Sequence, residues 1–353
     1  MTTKTHLTIP EAPQIPGLSF RYFRGEPDYP VIMKVFNACK KVDDFEYTMT
    51  LENVAHHFET IVNCDPFSDM IFVEIDDEPI AYGRVGWYKE SEGNYIYYSL
   101  GWITPEWRRK GIGTAILKQN ERRTYEIAQE HPAEAPKFLQ NDHNNKQVGV
   151  AALLKTNDYK EFRWGYEMQR PIDAPLPEAP MPEGLEVRPV TEGHYRLIWD
   201  AQSEAFKDHW GHTETTKEDY QRWLSDPITF GPDLWKVAWV GDQVAGMVLN
   251  FVSEEENQEY QRKRGYTEFI SVRRPWRRRG LARSLLVQSI QMFREMGFEE
   301  TILGVDTLNP NHALNLYEGV GYEITRKSTT YRKPLKVERS PSNVDIFLRR
   351  KAE

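Results

Sequence analysis

The two halves of the sequence repeat one order of predicted elements, and this duplication limits the possible folds more than any other feature. In each half, hydrophobic periodicity predicts a strand, helices, a hairpin, another strand, a basic segment, a long helix, a short strand, a helix and a closing strand. The hairpin at 71–85 aligns with that at 235–249 without a gap. Such a repeat predicts two domains of similar architecture, and 353 residues are enough for two.

Composition predicts where the two domains meet. Residues 171–184 contain five prolines and show no periodicity, which is typical of an extended, semi-rigid linker. We therefore expect a first domain over 1–170, a second over 185–335 and a charged tail over 336–353. The order of strands and helices predicts an α+β (mixed α/β) fold, with helices on both faces of a mixed sheet.

Each half carries its basic segment between a strand and the long helix. Residues 277–282 follow the pattern R-x-x-G-x-A, and residues 108–113 follow R-x-x-G-x-G. The free N–H groups at a helix start, with arginines just before them, suit an anion such as a pyrophosphate. Neither segment has the Gly-Lys-Ser/Thr of a P-loop or the three spaced glycines of a dinucleotide-binding turn.

These basic segments, together with residues 306–322, resemble the GNAT acyltransferase superfamily. The latter stretch is similar to that family's N-x-x-A-x-x-L-Y-x-x-x-G-F/Y segment. The resemblance covers nearly the whole chain as two tandem GNAT-like domains, organised like the mycothiol-synthase branch. It implies that each domain is a mixed, splayed β-sheet flanked by helices, and that the second domain performs the chemistry.

The resemblance also implies acetyl-CoA as the cosubstrate and identifies the residues that would bind it. In the second half these are Ile270, Ser271, Val272, Arg277, Arg278, Arg279, Gly280, Leu281, Ala282 and Arg283, with either Asn309 or Asn311. Two asparagines are candidates because one stands a position further from Tyr317 than usual and the other a position nearer. In the first half the corresponding residues are Arg108, Arg109, Lys110, Gly111, Ile112 and Gly113.

Tyr317 is the expected general acid, since the resemblance implies that this tyrosine lies beside the CoA sulfur. A tyrosine hydroxyl can protonate a leaving thiolate of comparable basicity. The first half has Leu154 at the aligned position, so we expect it to catalyse little. A backbone N–H of the strand over 267–272 can polarise the acetyl carbonyl.

The sequence indicates the general base less clearly than the general acid. Tyr266 and Glu268 lie where relatives place a catalytic glutamate, with a solvent-facing Glu268 and a water chain as alternatives. Glu254, Glu255 and Glu256 are expected in a solvated loop. His209 and His212 lack further ligands at suitable spacing, so no metal site is predicted.

Composition excludes several kinds of partner. The formal net charge of −8 argues against a nucleic-acid partner. No apolar run is long enough to cross a bilayer, and the first residues do not resemble a signal peptide. Two cysteines without metal-ligand spacing favour a reducing compartment, so a cytoplasmic protein is expected. Monomer and homodimer are both compatible with the sequence.

The leading functional prediction is an acetyl-CoA-dependent N-acetyltransferase that modifies a primary amine. A non-catalytic acyl-CoA-binding or regulatory protein is the alternative from a different class. The retained Tyr317, opposite Leu154 in the other half, favours the enzyme. The acceptor amine and the length of the acyl chain are not specified by the sequence.

Overall fold

The computed structural model describes residues 7–309 and 313–337. Residues 1–6, 310–312 and 338–353 lie outside this description, and they include Asn311 and most of the predicted charged tail. In the first half the elements are β1 (Leu18–Tyr22), α1 (Tyr29–Asp43), α2 (Leu51–Thr60), α3 (Pro66–Asp69), β2 (Met70–Ile75), β3 (Glu78–Lys89), β4 (Tyr95–Ile103), α4 (Ile112–Ala128), β5 (Lys137–Asn144), α5 (Val148–Thr156) and β6 (Lys160–Pro171).

The second half repeats this order, except that among the described residues α3 occurs in the first half alone and α8 (Glu254–Glu259) in the second half alone. Its elements are β7 (Glu186–Val187), α6 (Tyr195–Phe206), α7 (Lys217–Ser225), β8 (Lys236–Val240), β9 (Gln243–Phe251), α8 (Glu254–Glu259), β10 (Arg264–Val272), α9 (Leu281–Glu295), β11 (Glu300–Asp306), α10 (Ala313–Glu318) and β12 (Glu323–Pro334). The predicted mixed α/β class and the duplicated order of elements are confirmed.

Two short helices, α3 and α8, were not expected from periodicity. The expectation of a solvated loop at Glu254, Glu255 and Glu256 is wrong, because these residues begin α8. Ser253 caps this helix by accepting a hydrogen bond from the Glu256 N–H at 3.4 Å. Glu256 is buried, so the acidic run has one side chain inside the protein.

The strands form one sheet in which the two halves exchange their closing strands. The order across the sheet is β1-β2-β3-β4-β5-β12-β6-β11-β10-β9-β8-β7. β12 lies between β5 and β6, with Ser328 opposite Asn144 at one end of its pairing with β5. β6 in turn pairs with β11, from Pro171 opposite Glu300 onward. Each half therefore places its last strand beside the fifth strand of the other half.

The proline-rich stretch at 171–184 lies against the second half. Arg170 is fully buried just before it and donates hydrogen bonds to carbonyl oxygens of Val320, at 2.8 Å, and Ala174, at 2.6 Å. Ile172 is buried in the core around α9. After Pro171, which ends β6, the stretch has no regular secondary structure, but its first residues are fixed by these contacts.

The sheet opens between β10 and β11, and this gap positions the candidate site. The two strands pair in parallel only from Arg264 opposite Glu300 to Tyr266 opposite Ile302. β10 then has an irregular register with β9 between Glu268 and Ser271. Phe269, within that bulge, has a φ of +49°. Bulges bend a strand and redirect its side chains, so β10 leaves β11 at this point.

The first half opens at the equivalent place without a bulge. β4 pairs with β5 in parallel over residues 95–98 and 137–140, while its register with β3 is continuous from Ala81 to Lys89. Across the opening, the Asn141 side-chain amide donates to the Ser99 carbonyl oxygen at 2.7 Å. The two halves thus share the splayed sheet but differ in the strand that borders the gap.

Candidate active site

A cleft of about 480 Å³ lies between β10, the start of α9 and α10 in the second half. The residues predicted to bind the cosubstrate and found in its lining are Ile270, Ser271, Val272, Arg277, Arg278, Gly280, Leu281, Ala282, Arg283 and Asn309, with the predicted acid Tyr317. Arg279 is exposed and does not line the cleft. Asn311 lies outside the described residues. The structure therefore brings most of the second-half prediction together in one place.

The basic segment of the second half turns sharply before α9. Arg278 has a φ of +61° and Gly280, the residue before the helix, a φ of +84°. A Cβ at Gly280 would meet no atom within 4 Å, so glycine is favoured here by the left-handed backbone rather than by lack of space. This turn leaves the first N–H groups of α9 facing the cleft that Gly280, Leu281 and Ala282 line, which is a geometry suited to an anion.

Several arginines of this segment are already paired within the protein. Arg277 donates to the Val272 carbonyl oxygen at 2.8 Å and to Asp208 at 2.7 Å. Arg274 also pairs with Asp208, and Arg273 pairs with Glu204. The hydrogen bonds from Arg274 and then Arg277 hold the pKa of Asp208 well below its usual range. Arg277 therefore shapes the turn, and Arg278 presents its charge to the cleft.

The first half contains the same clamp. Arg108 donates to the Ile103 carbonyl oxygen at 2.8 Å and to Asp43 at 2.7 Å. Sequence analysis missed Asp43 and Asp208 as partners of these arginines. The repeat could have identified them, because each aspartate lies at or just beyond the end of the first long helix of its half.

The edge of β10 that faces the gap has unpaired polar groups. Arg273 donates its backbone N–H to the Ala245 carbonyl oxygen on β9 at 3.0 Å. Because N–H directions alternate along a strand, the N–H of Val272 points to the opposite, open edge. The buried Ser271 hydroxyl, which lines the cleft, has no hydrogen-bond partner in the described part of the chain. These groups fit the amides of an extended ligand.

Tyr317 lies at the inner end of this cleft on α10. Its side chain is buried, and its ring centroid is 6.3 Å from that of Tyr322. Burial raises the pKa of the Tyr317 hydroxyl above its ordinary value, and the charges of Glu268 and Tyr322 add to this. The hydroxyl is therefore protonated throughout the neutral range and can act as a proton donor.

Leu154 occupies the place of Tyr317 in the first half. The N–H of Tyr322 bonds the Tyr317 carbonyl oxygen at 3.0 Å, and the N–H of Tyr159 bonds the Leu154 carbonyl oxygen at 3.1 Å. These bonds end α10 and α5 in the same way, which supports the alignment made from sequence. Leu154 is buried in an apolar cluster, and its side chain has no proton to donate.

Glu268 stands on β10 directly before the bulge. Its Oε1 accepts a hydrogen bond from the Gly304 N–H on β11 at 2.8 Å, across the gap between the strands. Loss of hydration raises the pKa of Glu268 to about 7, with a smaller contribution from the nearby Glu167. A carboxylate with this pKa is suited to accept a proton near neutral pH.

Tyr266, the other predicted base, is engaged elsewhere. Its hydroxyl donates to Glu256, and its ring stacks on Phe251 with centroids 4.6 Å apart. Burial, followed by the charge of Glu256, raises the pKa of this hydroxyl. Neither Tyr266 nor Glu268 is part of the lining of the cleft described above, but Glu268 reaches across the gap to β11 whereas Tyr266 is held by Glu256.

Tyr322 braces the sheet where it opens. Its hydroxyl lies 2.8 Å from the Thr267 hydroxyl on β10 and 2.9 Å from the Thr301 hydroxyl on β11. All three side chains are buried. Sequence analysis did not identify the two threonines, since their roles depend on contacts between distant strands.

The predicted anion segment of the first half is differently surrounded. Gly111 has a φ of +89°, like its counterpart in the second half, but a Cβ there would lie 3.3 Å from Pro13. Ile9 is buried in the cluster that contains Ile112, and Ile15 packs against the same cluster. The residues ahead of β1 therefore run past this segment, whereas Gly280 has open space around it.

The part of the chain that the structure describes contains neither a metal-binding cluster of side chains nor a membrane-spanning helix. Within 7–309 and 313–337, no group of three or more His, Cys, Asp and Glu side chains is arranged to hold a metal ion. Over the same ranges, no helix combines the length and apolar character needed to cross a membrane.

The sequence matches the acetyltransferase (GNAT) family in both halves, over residues 31–148 and 195–322. Similar curated proteins include mycothiol acetyltransferases. That of Salinispora tropica is 27% identical over 222 residues, which are 62% of this chain and 67% of that protein. That of Thermobispora bispora is 28% identical over 172 residues, or 48% of this chain and 56% of that protein.

Solved structures show a similar fold. A GCN5-related N-acetyltransferase from Sphaerobacter thermophilus superposes with a TM-score of 0.69 and 25% identity, over 93% of this chain and 97% of that one. A tandem GNAT protein from the clavulanic acid biosynthesis pathway superposes with a TM-score of 0.63 and 12% identity, over 92% and 99% of the two chains. The latter similarity concerns the fold alone.

Proposed function

The chain belongs to the GNAT acetyltransferase family and is an N-acetyltransferase, and on this premise we propose that it transfers the acetyl group of acetyl-CoA to a primary amine in its second half, with Tyr317 as the general acid. The observation that carries the proposal is the meeting of the anion-binding turn, the open edge of β10 and the buried Tyr317 hydroxyl in one cleft. The first half has Leu154 in place of that hydroxyl.

The cosubstrate would lie along β10 with its pyrophosphate at the start of α9. Arg278 and the N–H groups after Gly280 would bind the pyrophosphate. The open N–H of Val272 and the Ser271 hydroxyl would contact the extended arm, and Asn309 lines the same cleft. The acetyl group would then reach the gap between β10 and β11, where Glu268 and Tyr317 lie.

Two protein groups would move protons in the reaction. The amine nitrogen bonds to the acetyl carbon while Glu268 accepts the proton that the nitrogen loses. The carbon–sulfur bond breaks, and the Tyr317 hydroxyl gives its proton to the departing thiolate. Solvent then returns a proton to Tyr317, and Glu268 releases the one it took. A water molecule between Glu268 and the amine would serve the same purpose.

The domain limits and the role of the first half belong to the same proposal. We assign residues 1–170 and 185–335 to the two domains, 171–184 to the linker and 336–353 to the tail. The first domain would support the second rather than catalyse, since Leu154 has no proton to donate. Pro13 beside Gly111 argues against a pyrophosphate at the first basic segment. The mycothiol acetyltransferases suggest an amine on a thiol-containing sugar as one acceptor to test.

A kinetic comparison of two tyrosine variants tests this proposal. We expect Tyr317→Phe to lower kcat by about 10²–10⁴, the usual contribution of a general acid, and to leave acetyl-CoA affinity within about twofold, because the ring still fills its place. Thiol release from acetyl-CoA with a panel of primary amines measures kcat, and calorimetry measures affinity. Tyr220→Phe, on α7 and away from the cleft, is the matched control. Full turnover by Tyr317→Phe would remove Tyr317 from the mechanism.

A further inference from the structure

A second cavity, of about 300 Å³, lies in the first half. It is enclosed by the face of the sheet formed by β2, β3 and β4 and by the helices α1 and α2. None of its lining residues belongs to the basic segment at 108–113, and α4, which follows that segment, packs with Ile71 and Val73 of the sheet. The cavity is therefore separate from any site at the first anion turn. Its volume is at the lower end of the range for small-molecule sites.

Most of the cavity wall is aromatic or aliphatic. Phe36 and Phe58 come from the helices, and Tyr82, Leu100 and Trp102 come from the strands. Such a wall suits an apolar or aromatic ligand body.

Arg84 is the one cation among the residues that line this cavity. It lies on β3 between Met70 of β2 and Leu100 of β4 in the strand register, and the residue is buried, with a relative exposure of 7%. Its Nε atom is buried without a hydrogen-bond partner in the described part of the chain. Its Nη1 atom lies 2.6 Å from His57 Nε2.

The partners of Arg84 do not compensate its charge. Burial, and then the charge of Arg84, lower the pKa of His57 to about 4, so the imidazole is neutral at physiological pH and accepts the hydrogen bond. Within residues 7–309 and 313–337, no carboxylate forms an ion pair with Arg84. Arg21 on β1, which is separated from β3 by β2, provides the contrast, because it is also buried but pairs with both Asp28 and Glu74.

A buried guanidinium without a counter-charge is unfavourable unless something else pairs with it. Its planar fork of N–H donors matches a carboxylate, which can accept two parallel hydrogen bonds. We propose that this cavity binds a small organic carboxylate with an aromatic or apolar body, whose carboxylate pairs with Arg84 and whose body packs against Phe36, Leu100 and Trp102. The first half would thus hold a ligand of its own, distinct from acetyl-CoA and the amine.

The proposal can be tested by calorimetry on the full-length protein with phenylacetate and with its uncharged analogue, phenylacetamide. We expect one phenylacetate to bind per chain and phenylacetamide to bind at least about tenfold more weakly, since it cannot form the charged pair. Saturating acetyl-CoA should leave this binding unchanged, because the two cavities share no residue.

Variants of Arg84 identify the site. Arg84→Met should reduce phenylacetate affinity by at least about tenfold, and without ligand it should unfold at the same or a higher temperature, because it removes an unpaired buried charge. Arg84→Lys keeps the charge but lacks the fork, and should bind more weakly than the natural protein. Arg196→Met, at an exposed arginine of α6 that pairs with Asp200, is the control and should bind normally.

Three results would overturn the proposal. One is the absence of binding by phenylacetate, benzoate, hexanoate and indole-3-acetate at about 10 mM, where complexes of millimolar Kd are largely formed. Another is equal binding of phenylacetate by the natural protein and Arg84→Met. The third is displacement of phenylacetate by acetyl-CoA, which would assign the binding to the cleft beside Tyr317.

Discussion

At the scale of single residues, Glu268 and Tyr317 face the same gap with pKa values raised by the same cause. Both lose hydration where β10 and β11 part, and the charge of Glu268 adds to the rise in the pKa of Tyr317. The consequences differ because the ordinary pKa of a glutamate carboxyl group is far below that of a tyrosine hydroxyl. Near neutral pH, Glu268 exchanges its proton readily, while Tyr317 keeps its own.

Glu268 should set the pH dependence of the enzyme. A general base acts in its deprotonated form, and the pKa of Glu268 is raised to about 7. We therefore expect kcat/KM to rise with pH through about 7 and to level off above it. Glu268→Gln should remove this rise and lower kcat/KM at pH 8 by about 10²–10⁴. Initial rates from pH 5.5 to 9 measure both effects.

The stability of Glu268→Gln is the control for that experiment. The folded state raises the pKa of Glu268 and therefore binds this proton more tightly than the unfolded chain does. The free energy of unfolding consequently falls as the pH rises from the unfolded pKa of Glu268 towards about 7. The glutamine variant should therefore unfold at the same or a higher temperature at pH 8. A pH profile unchanged by the substitution would assign the base to another group.

A family pattern and a strand position made Tyr317 and Glu268 the candidate acid and base in the sequence. The sequence alone could not separate Arg277 from Arg278. Both are arginines of one motif. Only the position of Asp208, far away in sequence, shows that Arg277 is held by an ion pair within the protein. The threonines that support Tyr322 were missed for the same reason, since hydroxyl contacts across strands leave no periodic pattern.

At the scale of elements, the turn before α9 combines a left-handed glycine with a helix start. Gly280→Ala should destabilise the protein by about 1 kcal/mol, since a Cβ is disfavoured at positive φ. It should also raise the KM for acetyl-CoA by about fivefold, because contacts at a helix start contribute up to about 1 kcal/mol each. Thermal unfolding and steady-state kinetics measure these two effects separately.

Gly297 provides the matched control at the other end of the same helix. Its φ is +78°, close to the +84° of Gly280, and a Cβ there would also meet no atom within 4 Å. Gly297→Ala should lose similar stability and keep the natural KM. An equal rise of KM in both variants would mean that strain in α9, rather than the geometry of the anion turn, governs acetyl-CoA binding.

The elements themselves were largely predictable. Alternation and helical spacing identified the strands and longer helices, because each has one face against a core. The short helices α3 and α8 were not predicted, since their sequences, PFSD and EEENQE, contain too few apolar residues to display a helical period.

At the scale of the whole molecule, the exchanged closing strands should make the two halves dependent on each other. β6 is flanked by β12 and β11, which both come from the second half. Separate chains of residues 1–184 and 185–353 would each leave one closing strand without its partners. We expect neither to give a monomeric, cooperatively folded protein, as judged by gel filtration and urea unfolding followed by circular dichroism.

A cut in the linker of the folded protein is the control for that separation. A protease site inserted after Glu183, beside the exposed Gly184, should allow cleavage while the halves stay together and active, because the strand pairs hold them. If residues 185–353 alone formed an active monomer, the exchange of strands would not be required for folding. The sequence does not predict this exchange, since β6 and β12 have similar patterns and each could pair with the fifth strand of its own half.

The exchanged strands also restrict how a duplicated protein of this kind can change over generations. A spare copy is ordinarily free to shrink or vanish once its sibling performs the reaction. Here the first copy supplies β6, which borders β11 and so one side of the gap that holds Glu268 and Tyr317. Substitution can remove a proton donor from this half, as Leu154 in the place of a tyrosine would under the proposed mechanism, but deletion would also remove a strand that the sheet of the second half needs. The arrangement of the strands therefore requires the first half whether or not it catalyses.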